Sequence, residues 1–185
     1  MLFGRRNVIL FLLIVLPGCT GVRVSQDYND GQNLAALKTY AWHYDQQEKS
    51  GDIRIDTPLI DQRVRSAIDK TLTARGYRKA SRSEADFHIA YQYAIRNQLE
   101  SDQPRTSIGF GFGSYGRHSS IGISTGTNVN SYDEGLLVID ILDSRDGETL
   151  WRGKGTRRVF LHTDPARVTR QINETVHKIL DQFPP

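Results

Sequence analysis

Leu136-Leu-Val-Ile-Asp-Ile-Leu142, then Asp143-Ser-Arg-Asp-Gly147, then Thr149-Leu-Trp-Arg-Gly-Lys-Gly-Thr-Arg-Arg-Val-Phe160 is the stretch that decides the fold. The first segment is apolar at both parities except at Asp140, which suits a strand in the middle of a sheet. The second is a turn, because Asp, Ser and Gly bond locally to backbone or take up bent conformations at low cost. The third is therefore predicted to return as the hairpin partner. Within it Gly153 and Gly155 mark a bulge or a close approach by another element. Its cations Arg152, Lys154, Arg157 and Arg158 are expected to form a solvated strand face.

Working outward, Phe87, Ile89, Tyr91, Tyr93 and Ile95 alternate with polar or small residues, the period of a half-buried strand. Val22, Val24 and Tyr28 share one parity and predict another half-buried strand, broken by Asn29-Asp-Gly31. Thr39-Tyr-Ala-Trp-His43 predicts a further strand, with a helical turn between the two. Two segments change to helical spacing. Asp56-Thr-Pro58 places a capping side chain before a proline whose missing N–H is harmless in a first turn. Leu59, Ile60, Val64, Ala67, Ile68 and Leu72 follow on one face, and Arg75-Gly76 supplies the stop. Thr163-Asp-Pro165 opens the second helix, whose stripe is Val168, Ile172, Val176, Ile179 and Leu180 before Phe183-Pro-Pro185. Strands grouped between two amphipathic helices predict an α+β fold: a largely antiparallel β-sheet with both helices packed on one face, as a single domain.

The sequential order of several motifs resembles a known family. Leu37-Lys-Thr-Tyr-Ala-Trp42, Arg75-Gly-Tyr77, Ala85-Asp-Phe-His-Ile-Ala-Tyr91, a glycine and aromatic tract, Gly135-Leu-Leu-Val-Ile-Asp140, Leu150-Trp-Arg-Gly153 and the terminal Phe183-Pro-Pro185 are similar to the bacterial envelope lipoproteins of domain of unknown function 4136. The resemblance covers nearly all of the chain after its N-terminal segment. It implies a fold and a cellular address and brings no catalytic residues.

The N-terminus reads as a lipoprotein signal. Arg5 and Arg6 precede an apolar core over residues 8–16, and Leu16-Pro-Gly18-Cys19 ends it as a lipobox around the one cysteine of the chain. The core is too short to span a bilayer, which needs about 20 apolar residues. Cleavage between Gly18 and Cys19 is expected to leave residues 19–21 as a lipidated terminus and short tether, and 22–185 as the domain. The resemblance to bacterial lipoprotein signals implies a diacylglyceryl thioether on Cys19 and an acylated amino terminus. At about 0.8 kcal/mol per buried methylene, two or more chains hold firmly. Thr20 stands where the enteric sorting pattern places Asp for inner-membrane retention, so the expected location is the outer membrane, facing the periplasm.

Composition excludes several functions. Removing residues 1–18 leaves 167 residues and 22 basic against 21 acidic side chains, no cationic surplus for nucleic acid. With Cys19 lipidated, no cysteine remains for a disulfide, a thiolate metal site or a nucleophile. Gly111-Phe-Gly-Ser-Tyr-Gly116 matches G-x-G-x-x-G, but no helical period follows, so no nucleotide is expected. His43, His88, His118, His162 and His177 fall in separate elements without ligand spacing. No Ser sits in G-x-S-x-G, and Asp140, Asp143 and Asp146 read as turn and strand-end residues. No cofactor, metal or catalytic residue is expected.

Residues 107–126 alternate differently. Ile108, Phe110 and Phe112 share one parity against Gly109, Gly111 and Gly113; Ile121 and Ile123 oppose Gly122, Ser124 and Gly126. An antiparallel pairing of Phe112 with Ile121 and Phe110 with Ile123 gives one apolar face and one almost bare of side chains. A bare face admits another backbone, from this domain or from a partner. Phe110, Phe112, Tyr115, Arg117 and His118 are the candidate contacts to an envelope protein partner. The chain is thus expected to be a membrane-anchored, non-catalytic binding or assembly module. The alternative is a lipoprotein that binds or processes a small ligand, lipid or glycan in a pocket between helices and sheet.

Overall fold

The computed structural model describes residues 21–47, 49–101, 105–109, 122–126, 129–159 and 164–185, with backbone only for 99–101, 105–109, 122–126 and 129–131. In chain order the elements are β1 (Arg23–Tyr28), a 3-10 turn (Leu34–Ala36), β2 (Thr39–Trp42), α1 (Pro58–Ala74), β3 (Arg78–Lys79), β4 (Phe87–Ser101), β5 (Arg105–Gly109), β6 (Gly122–Gly126), β7 (Val129–Asp143), β8 (Thr149–Arg158) and α2 (Pro165–Leu180). Six strands form one sheet in the order β1-β8-β7-β4-β2-β3, and β5 pairs with β6 separately. The pairs β1–β8, β8–β7 and β7–β4 are antiparallel, whereas β2 runs parallel to both β3 and β4. The α+β, largely antiparallel, single-domain expectation is thus met, with β3 an addition that two residues could not announce.

Strand parity decides the core. Phe87, Ile89, Tyr91 and Tyr93 of β4 share a face with Leu137, Ile139 and Ile141 of β7 and with Trp151, Gly153 and Gly155 of β8. Both helices cover that face. Ile172, Val176, Ile179 and Leu180 of α2 and Val64, Ala67, Ile68 and Leu72 of α1 are buried there. Gly153 and Gly155 show why glycine is needed under α2. A Cβ on Gly153 would lie on the Trp151 ring and 2.5 Å from Ile179 Cγ2, and one on Gly155 would lie 2.8 Å from Ile179 Cδ1. The glycines are the close approach that the sequence suggested. Phe183, fully buried, closes the end of the core between Tyr77, Phe87 and Trp151.

Both helix starts follow their sequences. Thr57 accepts a hydrogen bond from the Ile60 N–H at 3.2 Å, and Asp164 accepts one from the Arg167 N–H at 3.3 Å. Gly76, at φ +88°, supplies the left-handed residue that ends α1. Asp86 anchors β2 by accepting from the Lys38 and Thr39 N–H groups, each at 2.8 Å.

Four expectations are corrected. Every residue of β1 is exposed rather than half-buried: Val24 and Tyr28 lie on the helix side of the sheet, but β1 is its edge strand and α2 reaches only part of it. Leu59, expected on the buried stripe of α1, is 61% exposed because at 3.6 residues per turn it stands well off the line of Val64, Ala67, Ile68 and Leu72, on the side of Arg63 and Lys70. Asp140 is a buried mid-strand residue held by Arg152, whose Nε and Nη2 donate at 2.6 and 2.9 Å, on the face opposite the helices. In the β5–β6 pair Ile123 stands opposite Ile108, not Phe110, so the register is displaced by two residues while the parity is kept.

Candidate functional site

Gly18, Cys19, Phe110, Phe112, Tyr115, Arg117 and His118, together with the G-x-G-x-x-G segment, lie outside the described residues. What is described on either side of the glycine tract is its stem. β4 and β7 pair continuously from Phe87–Asp143 out to Ser101–Val129, while β8 accompanies β7 only as far as Glu134. The pairs from Asn97–Asp133 to Ser101–Val129 therefore leave the sheet as a two-stranded ribbon. Beyond it, β5 and β6 place Gly109 opposite Gly122 and Ile108 opposite Ile123.

The second candidate is a cleft of about 340 Å³ beneath the start of α1, lined by Gln46, Gln47, Lys49, Asp61, Tyr91 and Tyr93 among others. Its floor comes from strand alternation, which turns Tyr91 and Tyr93 of β4 toward the helices. Its wall comes from the capped first turn of α1 and the loop before it. Asp56 ties that loop down by accepting from the Ser50 N–H and Oγ–H at 2.9 and 2.8 Å and from the Gly51 N–H at 2.8 Å. Those backbone bonds hold its carboxyl below the usual range.

Asp61 organises the cleft. Its Oδ1 accepts from Tyr91 Oη–H at 2.6 Å and from Arg65 Nε–H at 2.9 Å. Arg65 in turn stacks 4.5 Å above the Trp42 ring and donates to the Tyr44 carbonyl at 3.1 Å. Burial, reinforced by Asp61, pushes the Tyr91 phenol well above its ordinary value, so it remains a proton donor throughout the physiological range. A carboxylate already accepting from Tyr91 and Arg65 is a structural anchor rather than a free general base. Two turns along α1, Asp69 repeats the arrangement, with Oδ1 accepting from Tyr40 at 3.0 Å and Trp42 at 3.2 Å and Oδ2 from Lys79 at 3.0 Å. Burial and this carboxylate push Tyr40 up to about 12. The two aspartates bind α1 to the aromatic row of the sheet, a role that their spacing of eight residues on a helix permits.

His43 and His88, far apart in sequence, have ring centres 5.7 Å apart on the sheet face away from the helices. His88 Nε2 lies 3.1 Å from the Arg82 carbonyl, and Nδ1 of each ring is buried without a hydrogen-bond partner. Burial, then the nearby His88 and Arg82 charges, lower the His43 pKa. Among the described residues no group of three or more His, Cys, Asp or Glu side chains is placed to hold a metal ion. Parallel pairing of β2 with β4 brings the two imidazoles together, and a short strand 45 residues upstream carries no sequence signal for that. The cations of β8 do not form a free patch: Arg152 is held by Asp140, Arg157 donates to the Gln171 carbonyl at 2.9 Å and to Glu174 at 3.2 Å, and Arg158 lies 3.9 Å over the Tyr132 ring.

Comparisons place this architecture. The chain is similar to a PDZ domain protein from Parabacteroides distasonis ATCC 8503, with a TM-score of 0.51 and 18% identity over 88% of this chain, which spans 36% of that chain's length. It is also similar, more distantly, to the PelC dodecamer from Paraburkholderia phytofirmans, with a TM-score of 0.43 and 14% identity over 86% of this chain and 95% of that one. No curated protein matches it. The model of the domain of unknown function DUF4136 matches residues 24–185, from the first strand to the last residue, and the chain belongs to that family.

Proposed function

We propose that the protein is an envelope lipoprotein, held by acyl chains on Cys19 at the periplasmic face of the outer membrane, and that it acts there as a non-catalytic binding or assembly module. The observation that carries this is the N-terminal order of Arg5-Arg6, an apolar core and Leu16-Pro-Gly18-Cys19, set four residues ahead of the first strand. A tether that short holds the folded domain at the membrane surface, which fits a presenting module better than a roaming one. The ribbon of β4 and β7 and the glycine tract beyond it form the presenting element. Phe110, Phe112, Tyr115, Arg117 and His118 are its contact residues.

Metabolic labelling with a palmitate analogue tests the anchor. The wild type is expected to carry the label and fractionate with outer membranes, and Cys19→Ala to lose both; an unlabelled wild type overturns the assignment. Photo-crosslinking in cells from positions 112 and 115 is expected to capture a defined envelope partner.

The cleft under α1 supports a second role. Its volume falls within the range of small-ligand sites, and two tyrosines, two glutamines and Lys49 offer mixed donors and acceptors beside apolar Ile55 and Ile60. A small periplasmic ligand, lipid or glycan bound there would shift the resonances of Tyr91 and Tyr93, and Tyr93→Ala would abolish the shift.

A further inference from the structure

We propose that β1 is a self-recognising edge through which two copies of this chain join, antiparallel and with Ser25 facing Ser25, into one continuous sheet. The pairing does not depend on acylation of Cys19, and it goes beyond anchoring by giving the domain a second copy of itself as partner.

The sheet register shows which backbone groups of β1 are free. Tyr28 stands opposite Trp151, and the next residue, Asn29, donates its N–H to the Leu150 carbonyl at 3.0 Å. Antiparallel ladders alternate, so Arg23, Ser25 and Asp27 exchange hydrogen bonds with β8, while the N–H and C=O groups of Val24, Gln26 and Tyr28 point outward. The β7–β8 ladder has the same phase: the Val159 N–H donates to the Asp133 carbonyl, which turns the odd-numbered residues of β8 toward β7 and the even-numbered ones toward β1. Among the described residues no strand pairs with that outer edge. The two edges of the sheet are guarded differently. β3 consists of Arg78 and Lys79 alone, short and cationic, a common defence against edge pairing. β1 runs for six residues without proline or bulge, every one of them exposed.

Its side chains are self-complementary in one register. On the face away from the helices, Asp140 of β7 stands beside Arg152 of β8 and Arg152 beside Asp27 of β1, so charge alternates across the strands until Asp27 ends the row. With Ser25 on the two-fold axis, Arg23 of the second copy falls opposite Asp27 and continues the alternation, and the reciprocal pair forms across the axis. A slip of two residues sets Arg23 opposite Asn29 instead and loses both pairs. On the helix side Val24 and Tyr28 are 39% and 43% exposed, whereas Gln26 between them accepts from the Trp151 Nε1–H at 2.9 Å. The same register puts Tyr28 opposite Val22 and diagonal to Val24 of the second copy, which covers the apolar side chains. Backbone phase agrees, because Val24 then faces Gln26 of the second copy and outward N–H groups meet outward carbonyls. The axis is normal to the sheet, and the two Arg23 residues lie about 14 Å apart along the strands, so both tethers reach one membrane lying along the sheet.

Disulfide capture tests the edge on the full-length protein in the cell envelope under mild oxidation. Cys19 is the only cysteine of the natural chain. Ser25→Cys sets its thiol against that of its mate in a non-hydrogen-bonded pair, with Cα atoms about 4.5 Å apart and inside disulfide range. Asp27→Cys is the control, on the same strand and face but about 14 Å from its mate. Ser25→Cys is expected to give a dimer that reductant collapses, and Asp27→Cys and the wild type to stay monomeric. Adding Val24→Pro to Ser25→Cys removes an outward N–H and no bond to β8, and is expected to abolish the dimer with the melting temperature nearly unchanged. Adding Arg23→Glu in its place sets a carboxylate opposite Asp27 of the second copy, and is expected to weaken the dimer even where the proline variant fails to fold. Ser25→Cys that dimerises no more than Asp27→Cys, or a dimer undiminished in either folded double variant, overturns the pairing. Capture of another envelope protein in place of a second copy overturns it as well. A disulfide dimer of the wild type reports a free Cys19 and overturns the acylation instead, the pairing then being read in chains that carry Cys19→Ala.

Discussion

Two antiparallel strand pairs in this chain alternate glycine with larger side chains, and only one of them belongs to the sheet that the helices cover. In β7–β8, Gly153 and Gly155 stand beside Ile139 and Leu137 and admit Ile179 of α2 against the backbone of β8. In β5–β6, Gly109 faces Gly122 in a separate two-stranded sheet. The pattern is the same and the sheets differ. Glycine alternation specifies a low-relief strand face; whether that face becomes an interior depends on an element elsewhere in the chain long and apolar enough to fill it. For β8 that element is α2, reached through the short connection after Arg158.

The largest expected effect comes from removing what fills the gap. Ile179→Ala deletes a fully buried side chain that touches both glycine positions, and is expected to cost about 2–5 kcal/mol by chemical denaturation. A loss below about 0.5 kcal/mol, the range of surface substitutions, would break the comparison by showing that α2 does not rest on the glycines.

Next in size is the glycine itself. Gly153→Ala forces a methyl group into the Trp151 ring and Ile179, and is expected to cost about 1–3 kcal/mol. The matching change Gly122→Ala is expected to leave the melting temperature nearly unaltered. Equal losses at both positions would mean that the β5–β6 face is packed too. The double variant Gly155→Ala with Ile179→Ala sharpens the point: because shortening Ile179 removes its Cδ1 and Cγ1, the two nearest atoms, the costs should be less than additive.

The smallest effect concerns the turn that closes β7–β8. Asp143 accepts from Arg145 Nε and Nη2 at 3.0 and 2.7 Å and from the Arg145 backbone N–H at 2.8 Å, and these bonds hold its pKa at about 2. A carboxyl with a depressed folded-state pKa contributes stability above its ordinary value of 3.8 and loses it as pH falls toward 2. The wild type is therefore expected to exceed Asp143→Asn in stability at pH 6, with the gap closing between pH 4 and 2. The arginine is largely exposed, so solvent screening keeps that gap small. A gap independent of pH would detach the turn from its ion pair.

Legibility in the sequence followed locality. The capped starts at Thr57-Pro58 and Asp164-Pro165, the stop at Gly76 and the turn at 143–147 were all readable, because each rests on side chains within a few residues of the backbone they satisfy. The alternation of Phe87, Ile89, Tyr91 and Tyr93 gave the buried face of β4. Leu59 was misjudged because an apolar side chain next to Ile60 looks like part of the stripe, although 3.6 residues per turn places it on another side of α1. A pocket between helices and sheet was among the expectations, but Asp61's part in the cleft was not legible, since a single aspartate in a first turn looks like any helix-favouring charge until Tyr91 arrives from 30 positions away.

By itself the sequence determined the N-terminal signal pattern, the helices with their caps, the strand faces and the α+β class, because these follow from spacing along one chain. Only the tertiary structure decided which glycines lie under α2, that β2 joins the sheet in parallel and brings His43 to His88, that Asp140 is a buried ion-pair partner, and that the ribbon and the N-terminus leave by the same end. Each of those depends on strand order and register, which bring together residues from distant positions, and alternation along a strand fixes which face a side chain takes without fixing which neighbour it meets.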